Sequence, residues 1–365
     1  MISAEYIWLG GRDTYGDLRS KTRTLYLGEK VRSFMADISE QEEDIRYWDL
    51  NSICRDFEGN GEEKTLVSYI PEWNFDGSST GQVSSEGDTE IVIKPCAVCI
   101  DPFRKSPNIL VLCDCYLPNG EPHGSNTRWE AAKIFEKYKE ESSWFGLEQE
   151  YFLSNVLGTS GNTLRASTDF YCGNGAGKIP ARGLMEEHYQ KCLYAYIKIS
   201  GYNAEVMPGQ YEYQIGPVEG IQAADQLVFA RFIMTRLCEE MDIVVNYDPK
   251  PIEDGNGSGL HHNFSTRDMR GEGGYKHILD ACRKLKAKHE EHLLIYGEDN
   301  ELRLTGKHET SSMTDFTWGV GTRNTSVRIP NQTYSLQRGY LEDRRPAANV
   351  DPYLSTAKLL LTCVE

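Results

Sequence analysis

At Pro118-Asn-Gly-Glu-Pro122 the hydrophobic period of the chain changes, and this constrains the fold more than any other feature. Before it, short runs such as Ala4-Glu-Tyr-Ile-Trp-Leu, Lys21-Thr-Arg-Thr-Leu-Tyr-Leu, Ile91–Ile100 and Asn108–Tyr116 are rich in β-branched and aromatic residues and are punctuated by Gly, Pro and Asn. They predict strands. After it, apolar residues recur at helical spacing: Ala131, Ile134, Phe135 and Tyr138; Leu227, Ala230, Met234, Leu237 and Met241; Ile278, Ala281, Cys282 and Leu285. The 365 residues are enough for two domains with real cores. The turn cluster sets the expected boundary, with a β-domain over 1–122 and an α/β domain over 123–365. Between residues 26 and 70 an acidic stretch centred on Ser39-Glu-Gln-Glu-Glu-Asp44 predicts a solvated insertion over about 28–64.

The net charge of −16, from 39 Lys and Arg against 55 Asp and Glu, repels phosphate backbones and anionic lipid, so neither nucleic acid nor a membrane surface is an expected partner. No run reaches the roughly 18 apolar residues of a membrane span. Met1–Trp8 carries neither a secretory nor a transit pattern, and a cytoplasmic location is expected. Anionic substrates would then need local arginines or metal ions that override the global field. The ten cysteines are expected to be free thiols. Cys96-x-x-Cys99 and Cys113-x-Cys115 lie in predicted strands, where residues i and i+3 point to opposite faces and cannot converge on zinc.

Three segments carry candidate chemistry. In Phe145-Gly-Leu-Glu-Gln-Glu-Tyr-Phe-Leu153 a strand places Glu148 and Glu150 on one face. Asn203–Ile215 predicts two strands about a Pro208-Gly209 turn, so that Glu205 and Glu212 face each other, and Gly339–Pro346 adds Glu342. Glutamates set among apolar strand residues repel one another unless a cation lies between them, and oxygen donors with one His favour magnesium or manganese. The alternative is a solvated sheet face. Asp254-Gly-Asn-Gly-Ser-Gly-Leu-His-His-Asn-Phe-Ser265 joins a Gly-rich loop to His261 and His262. Beside this Gly-rich backbone the histidines suit a phosphate or amino-acid contact, the alternative being a structural role. Gly173-Asn-Gly-Ala-Gly-Lys-Ile179 has the wrong spacing for a phosphate-binding P-loop. Arg303, Arg323, Arg328, Arg344 and Arg345, set among Gly, Thr and Ser, suit clamping of phosphate and carboxylate. Metal-binding carboxylates together with arginines point to phosphoryl transfer from a nucleotide.

Taken in order, Pro71-Glu-Trp-Asn-Phe-Asp-Gly-Ser-Ser-Thr-Gly81, Glu148-Gln-Glu150, Glu205-Val-Met-Pro-Gly-Gln210, Asn256-Gly-Ser-Gly259, Arg303-Leu-Thr-Gly-Lys-His-Glu309 and Glu342-Asp-Arg-Arg-Pro346 resemble the motifs of the short eukaryotic type of glutamine synthetase. The resemblance runs from about residue 4 to 358. It implies an α+β fold, with a small N-terminal β-grasp domain followed by a larger α/β catalytic domain built on an antiparallel active-site sheet. It also implies ligation of ammonia to L-glutamate with ATP through a γ-glutamyl phosphate.

The implied ligands of Mg2+ or Mn2+ are Glu148, Glu150, Glu205, Glu212, His261 and Glu342. The implied nucleotide contacts are Glu148, Glu212, Asn263, Ser265, Arg323, Arg328 and Tyr340. Substrate contacts are Asp254, Gly255, Asn256, Gly257, Arg303, Arg323 and Arg344. Asp76, Glu309 and Arg328 take catalytic roles: Asp76 deprotonates ammonium from a neighbouring subunit, and Glu309 sits on a flap that closes the site. A homo-oligomer of two pentameric rings is implied.

Departures from the family are the long 26–70 segment, the changed loop at 155–165, the missing N-terminal helix of many members, and Gly255, Tyr211 and His262 where Trp, Trp and Thr are usual. Alternatives are a catalytically silent relative in a structural or regulatory assembly, or a γ-glutamyl ligase using another amine.

Overall fold

The computed structural model describes residues 1–10, 17–26, 28, 65–154, 169–175 and 177–365. Most of the acidic insertion and the altered loop at 155–165 lie outside the described residues. The chain divides into two compact units, residues 1–129 with 190–197, and residues 130–189 with 198–365.

In the first unit, β1 (Ile2–Leu9), β2 (Leu18–Leu25), β3 (Trp73–Asp76), β4 (Glu90–Ile100) and β5 (Ile109–Tyr116) form one sheet in the order β2-β1-β5-β4-β3. The central β1–β5 pair is parallel and the other pairs are antiparallel, a mixed sheet as in a β-grasp. Tyr6, Ile7, Ile93, Ile109, Leu110 and Val111 form its core, each fully buried. The strands predicted here are borne out. The short edge strand β3 comes from the Pro71–Gly81 motif, whose periodicity is too brief to announce a strand.

The second unit is built on an eight-stranded sheet. Its strands are β6 (Trp144–Ser154), β7 (Ile199–Ala204), β8 (Gln210–Glu219), β9 (Val244–Asn246), β10 (Leu260–Ser265), β11 (Trp318–Val320), β12 (Val327–Ile329) and β13 (Leu341–Asp343). They run in the order β11-β12-β13-β10-β6-β8-β7, with β9 also on β6, and every pair but β11–β12 is antiparallel.

One face of this sheet is apolar. Phe145, Leu147 and Tyr151 of β6, Tyr213 and Ile215 of β8, Leu260 and Phe264 of β10 and Leu341 of β13 are all buried. The Gln222–Glu240 helix packs on β6 and β8, and the Pro352–Val364 helix packs on it and on the Tyr275–Ala287 helix. Burial of Leu227, Ala230, Met234 and Leu237, and of Ile278, Ala281, Cys282 and Leu285, follows the predicted stripes. Met241 departs from its stripe and is 46% exposed, because the helix ends at Glu240 and Met241 is its C-cap. Strand alternation then turns the odd-numbered residues of β6 and β8 into this core and sends Glu148, Glu150 and Glu212 to the opposite face.

Candidate active site

The strand register brings the sequence-predicted carboxylates together as two groups of three. Glu148 on β6 lies directly opposite His261 on β10, and Glu342 on β13 pairs with Asn263, two residues further along β10. Ligand atoms of Glu148, His261 and Glu342 all lie within 4.8 Å of one another, and so do those of Glu150, Glu205 and Glu212. His261 Nδ1 is 3.3 Å from Glu148 Oε2 and 3.7 Å from Glu342 Oε1. In the second trio Glu150 and Glu212 are directly opposed across β6 and β8. Glu205 enters from the turn after β7, its backbone N–H donating to Gln210 O at 2.9 Å. Glu205 is therefore diagonal to Glu212, a small shift from the face-to-face placement expected of the hairpin.

Burial and mutual charge shift these groups together. Burial pushes the Glu150 carboxyl up to about 8, with the charge of Glu205 adding to the effect; Arg303 and the Gly259 N–H, which donates at 2.6 Å, act against it. Burial likewise raises Glu212 strongly, joined by the charges of Glu148, Glu150 and Glu205. Glu205 is raised mainly by burial. His261 is held neutral by burial and then by Arg344, which leaves a lone pair for a metal. Carboxylates massed in this way favour the ionised state only when a cation shares the space. All six donors are oxygen or imidazole nitrogen, so they fit hard divalent ions.

The arginines complete the charge pattern. Arg344 donates to Glu342 Oε1, and Arg328 NH1 lies 3.5 Å from Glu342 Oε2. The buried Nε of Arg328 has no hydrogen-bond partner among the described residues, so the guanidinium keeps a donor for an incoming anion. Arg303 is 3% exposed and donates to Arg344 O at 2.8 Å; burial lowers it to about 10, which still leaves it charged at neutral pH. Arg345 does not join this group. It lies beyond the end of β13 and points away from the chamber, where it is fully buried and paired with Asp343 at 2.6 Å.

Two adjoining chambers result. One, of about 410 Å3, is lined by both trios, by Arg303, Arg323, Arg328 and Arg344, and by Asn256, Gly257 and Glu309. The other, of about 450 Å3, is mainly apolar and is walled by Trp144, Phe145, Pro217, Phe264, Gly339 and Tyr340, with Asn263 and Ser265. Glu148 and Gln214 line both. Of the predicted nucleotide contacts, Asn263, Ser265 and Tyr340 fall in the apolar chamber, whereas Glu212, Arg323 and Arg328 fall in the charged one.

Glu309 sits at the tip of a hairpin closed by the Thr305–Ser312 bridge, and ion-pairs with Arg323 at 3.2 Å. His308 and Glu309 both have positive φ, an uncommon conformation for non-glycine residues and one that clusters at functional loops.

Asp254 is exposed and is not part of the chamber wall. Gly255 is buried with Met207 Cε only 2.7 Å from where a Cβ would stand, so Met207 fills the space that a larger residue at 255 would take. Asp76 belongs to the first unit, at the end of β3, where its Oδ1 accepts from the Ser78 N–H at 3.0 Å and from the Ser78 hydroxyl at 2.7 Å. These bonds hold its carboxyl below the usual range.

Sequence reasoning missed Asn203 and Gln214, which line the charged chamber and bond to each other at 2.8 Å. Register was the available signal: Gln214 is two residues from Glu212 on the same strand face, and Asn203 is directly opposite Glu212. Trp144 and Arg270 were also missed. The Arg270 guanidinium lies 4.0 Å from the Trp144 ring centre.

Residues 132–274 match the family described as glutamine synthetase, catalytic domain. The chain is 47% identical to the glutamine synthetase of Neurospora crassa over 99% of its own length and 91% of that protein. It is 45% identical to the glutamine synthetase cytosolic isozyme 1-1 of Oryza sativa subsp. japonica, over 100% of this chain and 94% of that one. The structure matches the Plasmodium falciparum glutamine synthetase with a TM-score of 0.71 at 16% identity, covering 100% of this chain and 71% of the other, which supports the fold. The chain belongs to the glutamine synthetase family.

Proposed function

We propose that the two chambers of the second unit carry out the ATP-dependent ligation of ammonia to the side-chain carboxylate of glutamate, with both carboxylate trios holding divalent cations. The observation that carries this assignment is the convergence of six ligand candidates as two trios beside an array of arginines. Family membership makes the chain a glutamate–ammonia ligase that uses ATP and divalent metal, and a catalytically silent relative is not favoured.

A carboxylate is a poor electrophile because its charge is delocalised and its leaving group would be oxide. The reaction therefore begins with attack of a glutamate side-chain oxygen on the γ-phosphorus of ATP, which breaks the bond to ADP and gives an acyl phosphate. The adenine ring occupies the apolar chamber against Tyr340, while the phosphates extend past Glu148 toward Arg328 and Arg323. Those guanidiniums meet the negative charge that develops on the transferred group. Arg303, Arg344, Asn256 and Gly257 hold the amino acid in line.

Glu148, His261 and Glu342, and Glu150, Glu205 and Glu212, would each hold a divalent cation, Mg2+ or Mn2+, which would supply charge screening for the phosphate oxygens. Asp76, kept ionised by Ser78, attracts ammonium and takes its proton, and the ammonia formed attacks the acyl carbon and displaces phosphate. The Glu309 hairpin excludes water, which would otherwise hydrolyse the intermediate.

In this scheme residues 1–122 supply Asp76 and residues 123–365 supply the rest, with each site completed by a neighbouring subunit in a ring, two pentameric rings making a decamer. A cytoplasmic location is supported by the rice cytosolic relative and by the acidic composition, and no described helix is long and apolar enough to cross a membrane. The test is phosphate release from ATP and glutamate with ammonium, hydroxylamine or larger amines. Ammonium-dependent release with one glutamine per phosphate, and γ-glutamyl hydroxamate with hydroxylamine, are expected. Turnover with a larger amine and none with ammonium would contradict the choice of acceptor.

A further inference from the structure

The rear of the metal-binding strand β6 holds a polar group where the surrounding sheet face is apolar. Gln149, between Glu148 and Glu150, points into the core and is fully buried. Its Oε1 accepts from Arg231 Nε at 2.8 Å, and its Nε2 donates to Glu150 O at 2.8 Å and to Ala348 O at 3.0 Å. Arg231, on the Gln222–Glu240 helix, is 5% exposed and donates also to Val350 O at 3.1 Å and Ala348 O at 2.9 Å. Its guanidinium lies 5.4 Å from the ring centre of Tyr247.

All three of these hydrogen bonds end on neutral amide oxygens. Burying a cation against neutral acceptors costs more than an apolar side chain of the same size would, so stability alone gives little reason for an arginine here. The segments it joins give a better one. Ala348 donates to Ser258 O at 3.0 Å, and Leu260 donates to Pro346 O at 3.0 Å. Glu150 donates its N–H to Gly259 O at 3.0 Å and accepts the Gly259 N–H on its carboxylate. One guanidinium thus fixes, through two steps at most, the strand carrying Glu148 and Glu150 and the Gly-rich loop carrying Asn256 and Gly257. A rigid fork with several donors can do this, whereas a point ammonium cannot satisfy all three acceptors in their separate directions.

We propose that Arg231 is a positioning residue which, through Gln149, sets the spacing of Glu148 and Glu150 and so the affinity of both trios for divalent cations. The proposal rests on the assignment of those glutamates as metal ligands. Supporting groups behind a ligand change metal affinity or activity by about tenfold to a hundredfold when removed.

The test measures Mn2+ binding to the full-length protein, without nucleotide, by the paramagnetic resonance signal of free Mn2+, together with thermal unfolding. Variants are Arg231→Lys, which keeps the charge, Gln149→Met, which keeps the length and leaves Arg231 intact, and the pair combined. Each folded single variant should bind Mn2+ about tenfold to a hundredfold more weakly. The double variant should be no weaker than the worse single, because the two residues act as one unit. A purely structural role would lower the unfolding temperature and leave Mn2+ affinity in the folded protein unchanged, and that result would overturn the proposal. Loss of the fold in both single variants would overturn it too. Failure of the underlying ligand assignment would look different: Glu148→Ala would then bind Mn2+ like the wild type.

Discussion

Glu150 and Glu212 face each other directly across the antiparallel strands β6 and β8, two carboxylates in the one cross-strand position where like charges destabilise a sheet. Burial and their neighbours' charges raise both carboxyls, and under the proposed assignment a cation between them would offset that cost. Glu212→Gln should raise the unfolding temperature of the metal-free protein by a few degrees while lowering turnover by about a hundredfold. Added Mn2+ should raise the unfolding temperature of the wild type more than that of the variant, since a ligand that binds only the folded state stabilises it. Differential scanning calorimetry with and without metal checks both signs.

Arg328→Lys preserves charge but replaces a fork with a point donor, and the native Nε has no partner among the described residues to compensate. The substitution should reduce kcat by about a hundredfold, in the range seen when one transition-state donor is removed. Steady-state kinetics with unchanged kcat and ATP KM would remove Arg328 from the phosphate-binding role.

Buried histidines should contribute to acid lability. His188 is 1% exposed, bonds Ala230 O through Nε2 at 2.9 Å, and is depressed by burial to about 4. Its folded-state value lies below that of the unfolded chain, so the unfolded state binds more protons and stability falls as pH drops from about 6.5 toward 4. The contribution is on the order of 3 kcal/mol at the lower end of that window. His188→Gln can keep a hydrogen bond to the carbonyl without titrating, and its unfolding temperature should fall less steeply below pH 6.5. Identical slopes would show that His188 contributes nothing to acid lability.

Asp76→Ala and Glu309→Ala proteins should each be nearly inactive. If neighbouring chains share a site, co-expression restores activity, because about one site in four then pairs an intact Asp76 with an intact Glu309 under random mixing in a ring. Absence of rescue in mixed oligomers would place both residues in the same chain's site.

The sheet face was readable because period-2 alternation needs only the strand assignment: Glu148 and Glu150 share a face wherever β6 lies. What alternation cannot give is register. The directly opposed Glu148–His261 and Glu150–Glu212 positions depend on which strands become neighbours, and β10 reaches β6 only through long-range pairing. Arg345 departs from the expected arginine cluster because the doublet just past β13 splits, Arg344 pairing with Glu342 and Arg345 with Asp343. The apolar chamber was invisible beyond Asn263, Ser265 and Tyr340, because Trp144, Phe145 and Pro217 look like ordinary sheet residues until three strands bring them together. Gln149 and Arg231 lie 82 positions apart, and nothing local marks them as partners.

Glutamine and phosphate formation by the wild type, Glu148→Ala and Glu205→Ala, one variant from each trio, tests the metal-centred site most directly. The wild type should form the two products one for one, only when ATP, glutamate, ammonium and a divalent cation are all present. Both variants should remain folded, since neither opens an apolar cavity, and turn over at least about a hundredfold more slowly. Glutamine formation at the wild-type rate by either folded variant would contradict the assignment of its trio.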